Sequence, residues 1–433
     1  MSVVVQLDDY LIKLAAELPS RLGYSQRLRR RFLFERLAEK VDEYLKEGET
    51  GTLLLPGLRG TGKTTLLGQL YFYALQKTPG VLYLPVDELH LLGFTIYEAV
   101  ERYVEIFRPE KLILLLDEVH YDPRWDLTLK VLHDRREYLT IATGSSAIKL
   151  RESPDLARRA VSLDVEPLTF LEYLHLTGEK VQPAGLDALF EADEEALRRA
   201  LETAAKYGNT AETYLRSGSL PVALEMAERE AHELLLSLTE RIIYLDLRNF
   251  RGFDASTINA AMRLLVLLSA PKGERFSYER LSKSLGIGKA TVVKLVRTLI
   301  KSGLLIEIPP VGSTSSKVRK SPKLKFSAPA IRAAILSRFG IVELGALLED
   351  VTAFYLSKAG ILEYEPKKGG ADFVLLRGGK RYVIEVGLSK KSRSQVERSM
   401  ERLKADMGIV VGQEFDVEGD IISIPWRAFL ALL

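Results

Sequence analysis

The sequence that decides the fold is Gly57-Leu58-Arg59-Gly60-Thr61-Gly62-Lys63-Thr64-Thr65, which fits the pattern G-x-x-x-x-G-K-S/T. The apolar run at residues 52–56 predicts a buried strand before it, and residues 64–76 favour a helix after it. In that context the glycines let main-chain N–H groups face an anion, and the helix N-terminus adds the positive end of its dipole. The segment therefore predicts a phosphate-binding loop, and a glycine-rich turn without a ligand is the less favoured interpretation.

Side-chain chemistry assigns roles within this loop. Lys63 is expected to neutralise the β- and γ-phosphates of a nucleoside triphosphate, and the hydroxyl of Thr64 is expected to bind Mg²⁺. The predicted nucleotide-binding residues of the loop are Gly57, Gly60, Thr61, Gly62, Lys63, Thr64 and Thr65. The predicted cofactors are ATP and Mg²⁺.

A second signal is the apolar run at residues 112–116, which is followed directly by Asp117 and Glu118. Carboxylates at the carboxyl edge of a parallel sheet face ligands in the crevice there. Asp117 is therefore predicted to contact the nucleotide's Mg²⁺ through water, and Glu118 to polarise the attacking water as a general base. A purely structural role for both acids is the alternative.

Small polar residues end the next apolar run, at residues 141–146. Thr143 and Ser145 are candidates to sense the γ-phosphate or orient water, and Ser145 is included among the predicted nucleotide-binding residues. A polar turn explains both almost equally well. His120 is interpreted as a polar loop residue rather than a proton carrier.

Composition describes an ordinary globular chain. Its 433 residues suggest two to four domains, with 47% apolar and 27% charged residues. The net charge of +3 is too small to indicate a nucleic-acid partner by itself. The absence of cysteine excludes disulfides, thiolate metal sites and cysteine nucleophiles. The apolar runs are too short for a membrane span and the N-terminus lacks a signal-peptide core, so a cytoplasmic location without membrane contact is predicted.

The order of patterns along the chain predicts an α/β fold with four regions. Apolar runs alternating with amphipathic stretches predict a P-loop NTPase core with a parallel sheet over residues 1–170, preceded by N-terminal helices. Residues 171–270 read as a helical lid or connector. Residues 271–335 resemble a winged helix-turn-helix, and residues 336–433, with the order α-β-β-β-α-β, suggest a separate small α/β domain.

The winged-helix prediction rests on a helix at 278–285, a turn at 286–288, a second helix at 289–301 and a strand at 304–308. On the second helix, the predicted core stripe is Val292, Leu295, Val296 and Leu299. Thr291, Lys294, Thr298 and Lys301 share another face. The predicted contacts with double-stranded DNA are Lys289, Lys294, Arg297 and Lys301. The basic run at residues 317–325 also suits phosphate contact. The alternative is a winged helix that packs against proteins and has a solvated basic face.

Taken with two further segments, these motifs resemble a prokaryotic and archaeal AAA+ ATPase family. The segments are Ala157-Arg158-Arg159 and Glu166-Pro167-Leu168-Thr169-Phe170-Leu171-Glu172-Tyr173-Leu174. Residues 214–221 and 321–326 resemble further signatures, and the likeness covers most of the chain from about residue 27. In this family the ATPase is joined to a winged helix and a nuclease-like domain of the PD-(D/E)XK type. The resemblance also implies a catalytic arginine at Arg159, acting on its own or a neighbour's nucleotide. A surface salt bridge is the alternative for Arg159.

Carboxylates on adjacent predicted strands mark the last region. Asp372 and Glu385, with Glu349 on the preceding helix, are expected to converge and share a Mg²⁺ ion. The PD-(D/E)XK resemblance implies that Asp372 and Glu385 are metal ligands for phosphodiester hydrolysis. However, Gly387 occupies the place of the family's lysine, and no acid precedes Asp372 at 370–371. A degenerate or regulatory nuclease fold is therefore favoured over an active nuclease.

Three functions remain open at this point. The preferred one is an ATPase that couples hydrolysis of Mg²⁺-ATP to binding of double-stranded DNA through the winged helix. The alternatives are a nucleotide-dependent switch that binds proteins and an active metal-dependent DNA nuclease. The sequence leaves the oligomeric state open.

Overall fold

A computed structural model describes residues 6–144, 156–247, 253–270, 277–314, 320–341, 343–388 and 393–433. The chain divides between Glu166 and Pro167 into two units. Among the described residues, no helix is both long enough and apolar enough to cross a membrane.

The first unit is an α/β unit whose described strands form one five-stranded sheet. Its helices are α1 (Leu7–Arg27), α2 (Leu33–Glu47), α3 (Lys63–Leu75), α4 (Val86–Leu91), α5 (Ile96–Phe107) and α6 (Trp125–Arg135), with a 3₁₀ turn at Val119–Tyr121. Its strands are β1 (Gly51–Pro56), β2 (Val81–Pro85), β3 (Leu112–Asp117), β4 (Tyr138–Gly144) and β5 (Ala160–Ser162). The strands lie in the order β2-β3-β4-β1-β5 and every pairing is parallel. The predicted parallel α/β sheet is confirmed.

The sheet is buried on both faces, which explains its near-continuous apolar runs. Every residue of β3 and β4 is buried, and so is every residue of β1 after Gly51. Strand β5 ends at Ser162. The chain still follows β1 from there, because the N–H groups of Leu163 and Val165 donate to the carbonyls of Leu54 and Pro56 at 2.9 and 2.8 Å.

The strand order places a ligand crevice at the carboxyl edge of this sheet. The connection after β1 leads to β2 at one side of the sheet, and the connection after β4 leads to β5 at the other. Neighbouring strands whose connections leave in opposite directions open a crevice between their carboxyl ends. The loop at residues 57–62, the acids Asp117 and Glu118 at the end of β3, and the end of β4 all lie at that edge.

The second unit combines helices with a six-stranded sheet and a two-stranded sheet in its described residues. Its helices are α7 (Phe170–Leu176), α8 (Asp187–Phe190), α9 (Glu194–Tyr207), α10 (Ala211–Thr213), α11 (Glu228–Arg241), α12 (Ala255–Ser269), α13 (Tyr278–Leu285), α14 (Lys289–Lys301), α15 (Pro329–Ser337), α16 (Leu344–Ala359), α17 (Arg393–Leu403) and α18 (Trp426–Leu430). Short 3₁₀ turns lie at Gly208–Thr210 and Pro221–Ala223, and π-helical turns at Tyr214–Gly218 and Ile242–Leu247. The strands are β6 (Leu305–Ile308), β7 (Lys323–Phe326), β8 (Ile361–Glu363), β9 (Phe373–Arg377), β10 (Lys380–Val386), β11 (Met407–Gly412), β12 (Asp416–Glu418) and β13 (Ile421–Pro425).

The six-stranded sheet has the order β12-β13-β11-β10-β9-β8. Strands β10, β11 and β13 are parallel, whereas β8, β9 and β12 are antiparallel to their neighbours. The predicted order α-β-β-β-α-β is present, and the structure adds β12, β13 and α18 after it. Leu171 and Tyr214 from the predicted connector belong to the same hydrophobic core as Phe354 and Phe429. The boundaries proposed within residues 171–433 stay predictions.

Helices α13 and α14 begin and end where the sequence pattern places them. Val292, Leu295, Val296 and Leu299 are all buried, as predicted for the core stripe of α14. The assignment of Thr298 to the basic face is wrong. Thr298 is buried, and its hydroxyl donates to the carbonyl of Lys294 at 2.9 Å.

Candidate functional site

The loop between β1 and α3 has the backbone that its glycines predict. Gly60 and Gly62 have φ angles of 85° and 83°, which side-chain-bearing residues rarely adopt. A Cβ on Gly57 would lie 2.3 Å from the carbonyl oxygen of Val165, so only glycine fits there. Gly62 precedes the first residue of α3, which leaves the first N–H groups of that helix at the loop. The glycine positions of the motif therefore follow from backbone geometry.

Lys63 is buried against this loop. Its Nζ donates to the carbonyl oxygens of Gly57 and Leu58, at 2.9 and 2.8 Å. The ammonium group thus lies at the N-terminus of α3, where an anion is favoured. Thr61 is also buried, and its hydroxyl donates to Leu58 at 2.8 Å.

The structure brings Thr64 and Asp117 into direct contact. The Thr64 hydroxyl donates to Oδ2 of Asp117 at 2.7 Å, and the Thr143 hydroxyl donates to Oδ1 of the same carboxylate. The carboxylate is 6% exposed. Burial raises the pKa of Asp117, the hydrogen bond from Thr143 opposes that rise, and the charge of Glu118 adds to it.

Glu118 has a left-handed backbone with φ of 57°. Its N–H donates to the hydroxyl oxygen of Thr143 at 3.1 Å, so Thr143 contacts both acids. A left-handed conformation costs a residue other than glycine on the order of 1 kcal/mol, and such strain clusters at functional sites. Oε2 of Glu118 lies 3.1 Å from Nδ1 of His120. His120, in the 3₁₀ turn after β3, is therefore a buried neighbour of the predicted base.

Arg159 lies away from its own loop. Its Nε donates to Oδ1 of Asp134 at 2.7 Å, and the two side chains are 32% and 49% exposed. The next residue, Ala160, pairs with Thr52 at the beginning of β1. At about 3.3 Å per residue, that position is about 16 Å along the strand from Gly57. A catalytic role for Arg159, on its own or a neighbour's nucleotide, stays a prediction. Ser145 lies outside the described residues.

The acids predicted for the C-terminal sheet are engaged by other groups. Phe373 pairs with Ile384, so Asp372 and Glu385 lie opposite each other one residue further along. Oδ2 of Asp372 accepts from the N–H of Val386 at 2.9 Å, and Oε1 of Glu385 accepts from Gln395 at 2.8 Å. Within the described ranges, no group of three or more His, Asp or Glu side chains is arranged to hold a metal ion.

The ion pairs of this region differ from the expected ones. Glu349 was expected to share a metal ion with Asp372 and Glu385. It accepts a hydrogen bond from Nζ of buried Lys325 at 2.5 Å, and no metal-holding group that includes it is found in the described part of the chain. Lys325 belongs to the basic run at residues 317–325 that was predicted to contact phosphate. That prediction is wrong for Lys325, which is buried in the ion pair with Glu349. Residues 317–319 of that run lie outside the described part of the chain.

The basic side chains of α14 are exposed. Lys289, Lys294, Arg297 and Lys301 all face solvent. Lys289 pairs with Glu279 at 3.0 Å, and Nζ of Lys294 lies 4.9 Å from the ring centroid of Phe253.

Comparison with known sequences agrees with the geometry of the first unit. The uncharacterized protein MJ1637 of Methanocaldococcus jannaschii is 47% identical to this chain over 456 aligned positions, which cover 100% of this chain and 95% of that protein. The chain belongs to the family of MJ1637. Residues 49–174 match the family described as AAA domain, and residues 208–340 match a domain of unknown function, DUF8612. The predicted AAA domain is thus confirmed for residues 49–174.

Similar solved structures include the Walker-type ATPase PABY2304 of Pyrococcus abyssi, at 14% identity. The match covers 70% of this chain and 95% of that one, with a TM-score of 0.43. AMPPCP-bound DnaA from Aquifex aeolicus is 18% identical, with 61% and 87% of the two chains covered and a TM-score of 0.25.

Sequence reasoning missed two residues at the site of this AAA domain. The Tyr83 hydroxyl donates to Oδ2 of Asp117 at 3.0 Å, although Tyr83 sits in the apolar run of β2. Arg31, between α1 and α2, donates from Nη1 to the carbonyls of Thr61 and Glu166 at 2.8 and 2.9 Å. A buried tyrosine hydroxyl needs a partner, which was the available signal for Tyr83. Arg31 stands among several arginines, and nothing local distinguishes it.

Proposed function

We propose that this protein is a Mg²⁺-dependent ATPase with its nucleotide site at the loop of residues 57–65. The contact between the Thr64 hydroxyl and the Asp117 carboxylate carries the proposal. These two residues come from different elements, yet they meet at the carboxyl edge of the sheet, beside Lys63. The AAA domain match over residues 49–174 supports the same assignment.

The donor set fits Mg²⁺, which favours oxygen ligands and keeps several waters. Thr64 would bind the ion directly and Asp117 would contact it through water. When bound, Mg²⁺ would neutralise charge on the β- and γ-phosphates. Lys63 would exchange its two loop carbonyls for phosphate oxygens. Glu118 would orient a water molecule and accept its proton, held in place through its N–H bond to Thr143.

Calorimetry with ATP and Mg²⁺ tests the binding step. Lys63→Ala should weaken ATP binding about 10- to 100-fold, because charge-assisted hydrogen bonds contribute about 1.5–3 kcal/mol. Lys77→Ala is the matched control, since Lys77 lies just beyond the other end of α3 and pairs with Asp42 at the surface. An absence of heat with the wild-type protein, or equal affinity in both variants, would remove the proposed site.

We propose further that α13, α14 and the hairpin of β6 and β7 form a winged helix that binds double-stranded DNA. Gly286, with φ of 69°, ends α13 and turns the chain toward α14. The buried apolar stripe of α14 packs the helix against the protein core. Its four basic side chains face solvent. Basic side chains on such a helix suit DNA phosphates and major-groove contacts. Coupling between ATP hydrolysis and DNA binding is part of this proposal.

Salt dependence of duplex binding tests the DNA proposal. The double variant Lys294→Ala with Arg297→Ala should bind duplex DNA more weakly, and the slope of log affinity against log salt should fall by about 2. The variant Lys367→Ala with Lys368→Ala removes the same charge from an exposed turn before β9 and should leave the slope unchanged. Failure of the wild-type protein to bind duplex DNA at low salt would favour a switch that binds proteins instead.

For the C-terminal sheet we propose a degenerate nuclease fold without catalysis. Asp372 and Glu385 accept hydrogen bonds from Val386 and Gln395, and Gly387 replaces the expected lysine. DNA cleavage with Mg²⁺ or Mn²⁺ that disappears in Asp372→Ala would contradict this assignment and support a nuclease.

A further inference from the structure

Oδ2 of Asp117 accepts two hydroxyl donors. One is Thr64, which the proposed function already uses as a metal ligand, and the other is Tyr83 at 3.0 Å. Tyr83 lies on β2 and is 3% exposed. Its ring packs edge-on to Tyr71 of α3, with ring centroids 6.4 Å apart and an interplanar angle of 79°. The phenol is therefore fixed by packing and has its hydroxyl aimed at the carboxylate.

The donors to Asp117 reach it from both sides of β3. Strands β2 and β4 flank β3 in the sheet. Tyr83 of β2 donates to Oδ2, and Thr143 of β4 donates to Oδ1. Thr64 comes from α3 and is the donor that the proposed function assigns to the metal. Tyr83 and Thr143 can thus hold the carboxylate while Thr64 engages another ligand.

The chemistry of these donors suits a carboxylate that must serve a cation. A hydroxyl donor stabilises the charged carboxylate without cancelling its charge, whereas a lysine or arginine partner would neutralise it. Hydrogen-bond partners of metal-site groups orient them and tune metal affinity.

We propose that Tyr83 is a positioning residue that holds Asp117 in the orientation needed for Mg²⁺ at the nucleotide site. This inference rests on the proposed ATP site. It assigns the metal affinity of that site partly to a tyrosine of β2 whose hydroxyl donates to Asp117. Tyr83 acts only through Asp117.

The test compares ATP affinity with Mg²⁺ and ATP affinity in EDTA, measured by calorimetry on the full chain. In Tyr83→Phe, the gain in affinity that Mg²⁺ provides should fall about 10-fold, the usual loss when a partner of a metal-site group is removed. Affinity for metal-free ATP should stay at the wild-type value. Tyr71→Phe deletes a hydroxyl from the other buried tyrosine of the same ring pair and should change neither quantity.

The outcomes separate this inference from the proposed function. Absence of ATP binding by the wild-type protein would refute the ATP site itself. If wild type binds and Tyr83→Phe retains the full Mg²⁺ gain, Tyr83 does not position the metal site. An equal loss of affinity with and without Mg²⁺ would also overturn the inference, because it would indicate a purely structural role. Both phenylalanine variants are nearly isosteric with wild type, and affinities are compared at a temperature where thermal melts show both to be folded.

Discussion

Replacing Glu118 by glutamine should lower the turnover number for ATP about 10²–10⁴-fold, the usual contribution of a general base. Glutamine keeps the shape of the side chain but cannot accept the proton of the attacking water. The glutamine should keep the position of Glu118, because the N–H of residue 118 donates to Thr143 at 3.1 Å and the preceding strand is fully buried. Steady-state phosphate release measures turnover, and calorimetry should show affinity for Mg²⁺-ATP within a few-fold of wild type.

Glu105→Gln provides the matched control, since Glu105 makes an exposed ion pair with Arg102 on α5. It should hydrolyse ATP at the wild-type rate. Turnover by Glu118→Gln within a few-fold of wild type would assign the base to another group. A large loss of affinity would instead show that Glu118 contributes to ground-state binding.

The local features of the first unit could be predicted because each has a local cause. Strands buried on both faces must be apolar throughout, so β1, β2 and β3 stand out as continuous runs. A loop that needs left-handed residues must use glycine, as Gly60 and Gly62 show. The stripe on α14 was predictable for the same reason, since its period follows from helix geometry.

Contacts between distant elements could not be predicted. Tyr83 reads as a core residue, and its partner depends on the register that places Pro85 opposite Asp117. Whether Arg31 or one of its neighbouring arginines turns inward depends on where the loop carbonyls lie. The position of Arg159 depends on the pairing of β5 with β1.

Charge pairing in the second unit shows the same limit. Glu349 was expected to join Asp372 and Glu385 because all three are acids near predicted strands. The structure instead pairs it with Lys325 of β7, which the sequence places in a basic surface run. The sequence pattern predicted which helix or strand each residue belongs to. It did not predict which neighbouring side chain that residue would contact.

Replacing Arg332 by methionine should reduce the free energy of unfolding of the second unit by about 3–5 kcal/mol, because it leaves a buried charge without its partner. Arg332 and Asp350 are both fully buried, and their two hydrogen bonds measure 2.5 and 2.9 Å. Arg332 also donates to the carbonyls of Leu268 and Ser269, and Asp350 accepts from the N–H of Phe326. The pair therefore ties α12, β7, α15 and α16 together.

Urea unfolding followed by Trp426 fluorescence measures this loss. The chain has two tryptophans, so Trp125→Phe in all proteins leaves Trp426, which is buried in the second unit, as the reporter. Arg198→Met is the matched control, because Arg198 makes an exposed i,i+4 pair with Glu202 in the same unit. It should change stability little, as surface pairs do. The double variant Arg332→Met with Asp350→Leu should recover most of the loss, since neither charge remains buried.

The loss in Arg332→Met should also depend on pH. Burial raises the pKa of Asp350, and Arg332 opposes that rise. Without Arg332 the folded carboxyl has a pKa above its unfolded value of about 3.9, so the native state binds the proton more tightly. Relative to wild type, stability of the variant should therefore fall as pH rises above the unfolded pKa of Asp350 and through its raised folded pKa. A loss of unfolding free energy that does not change with pH would mean that Asp350 stays charged in the variant. A loss no larger than that of Arg198→Met would mean that the ion pair of Arg332 and Asp350 is not desolvated.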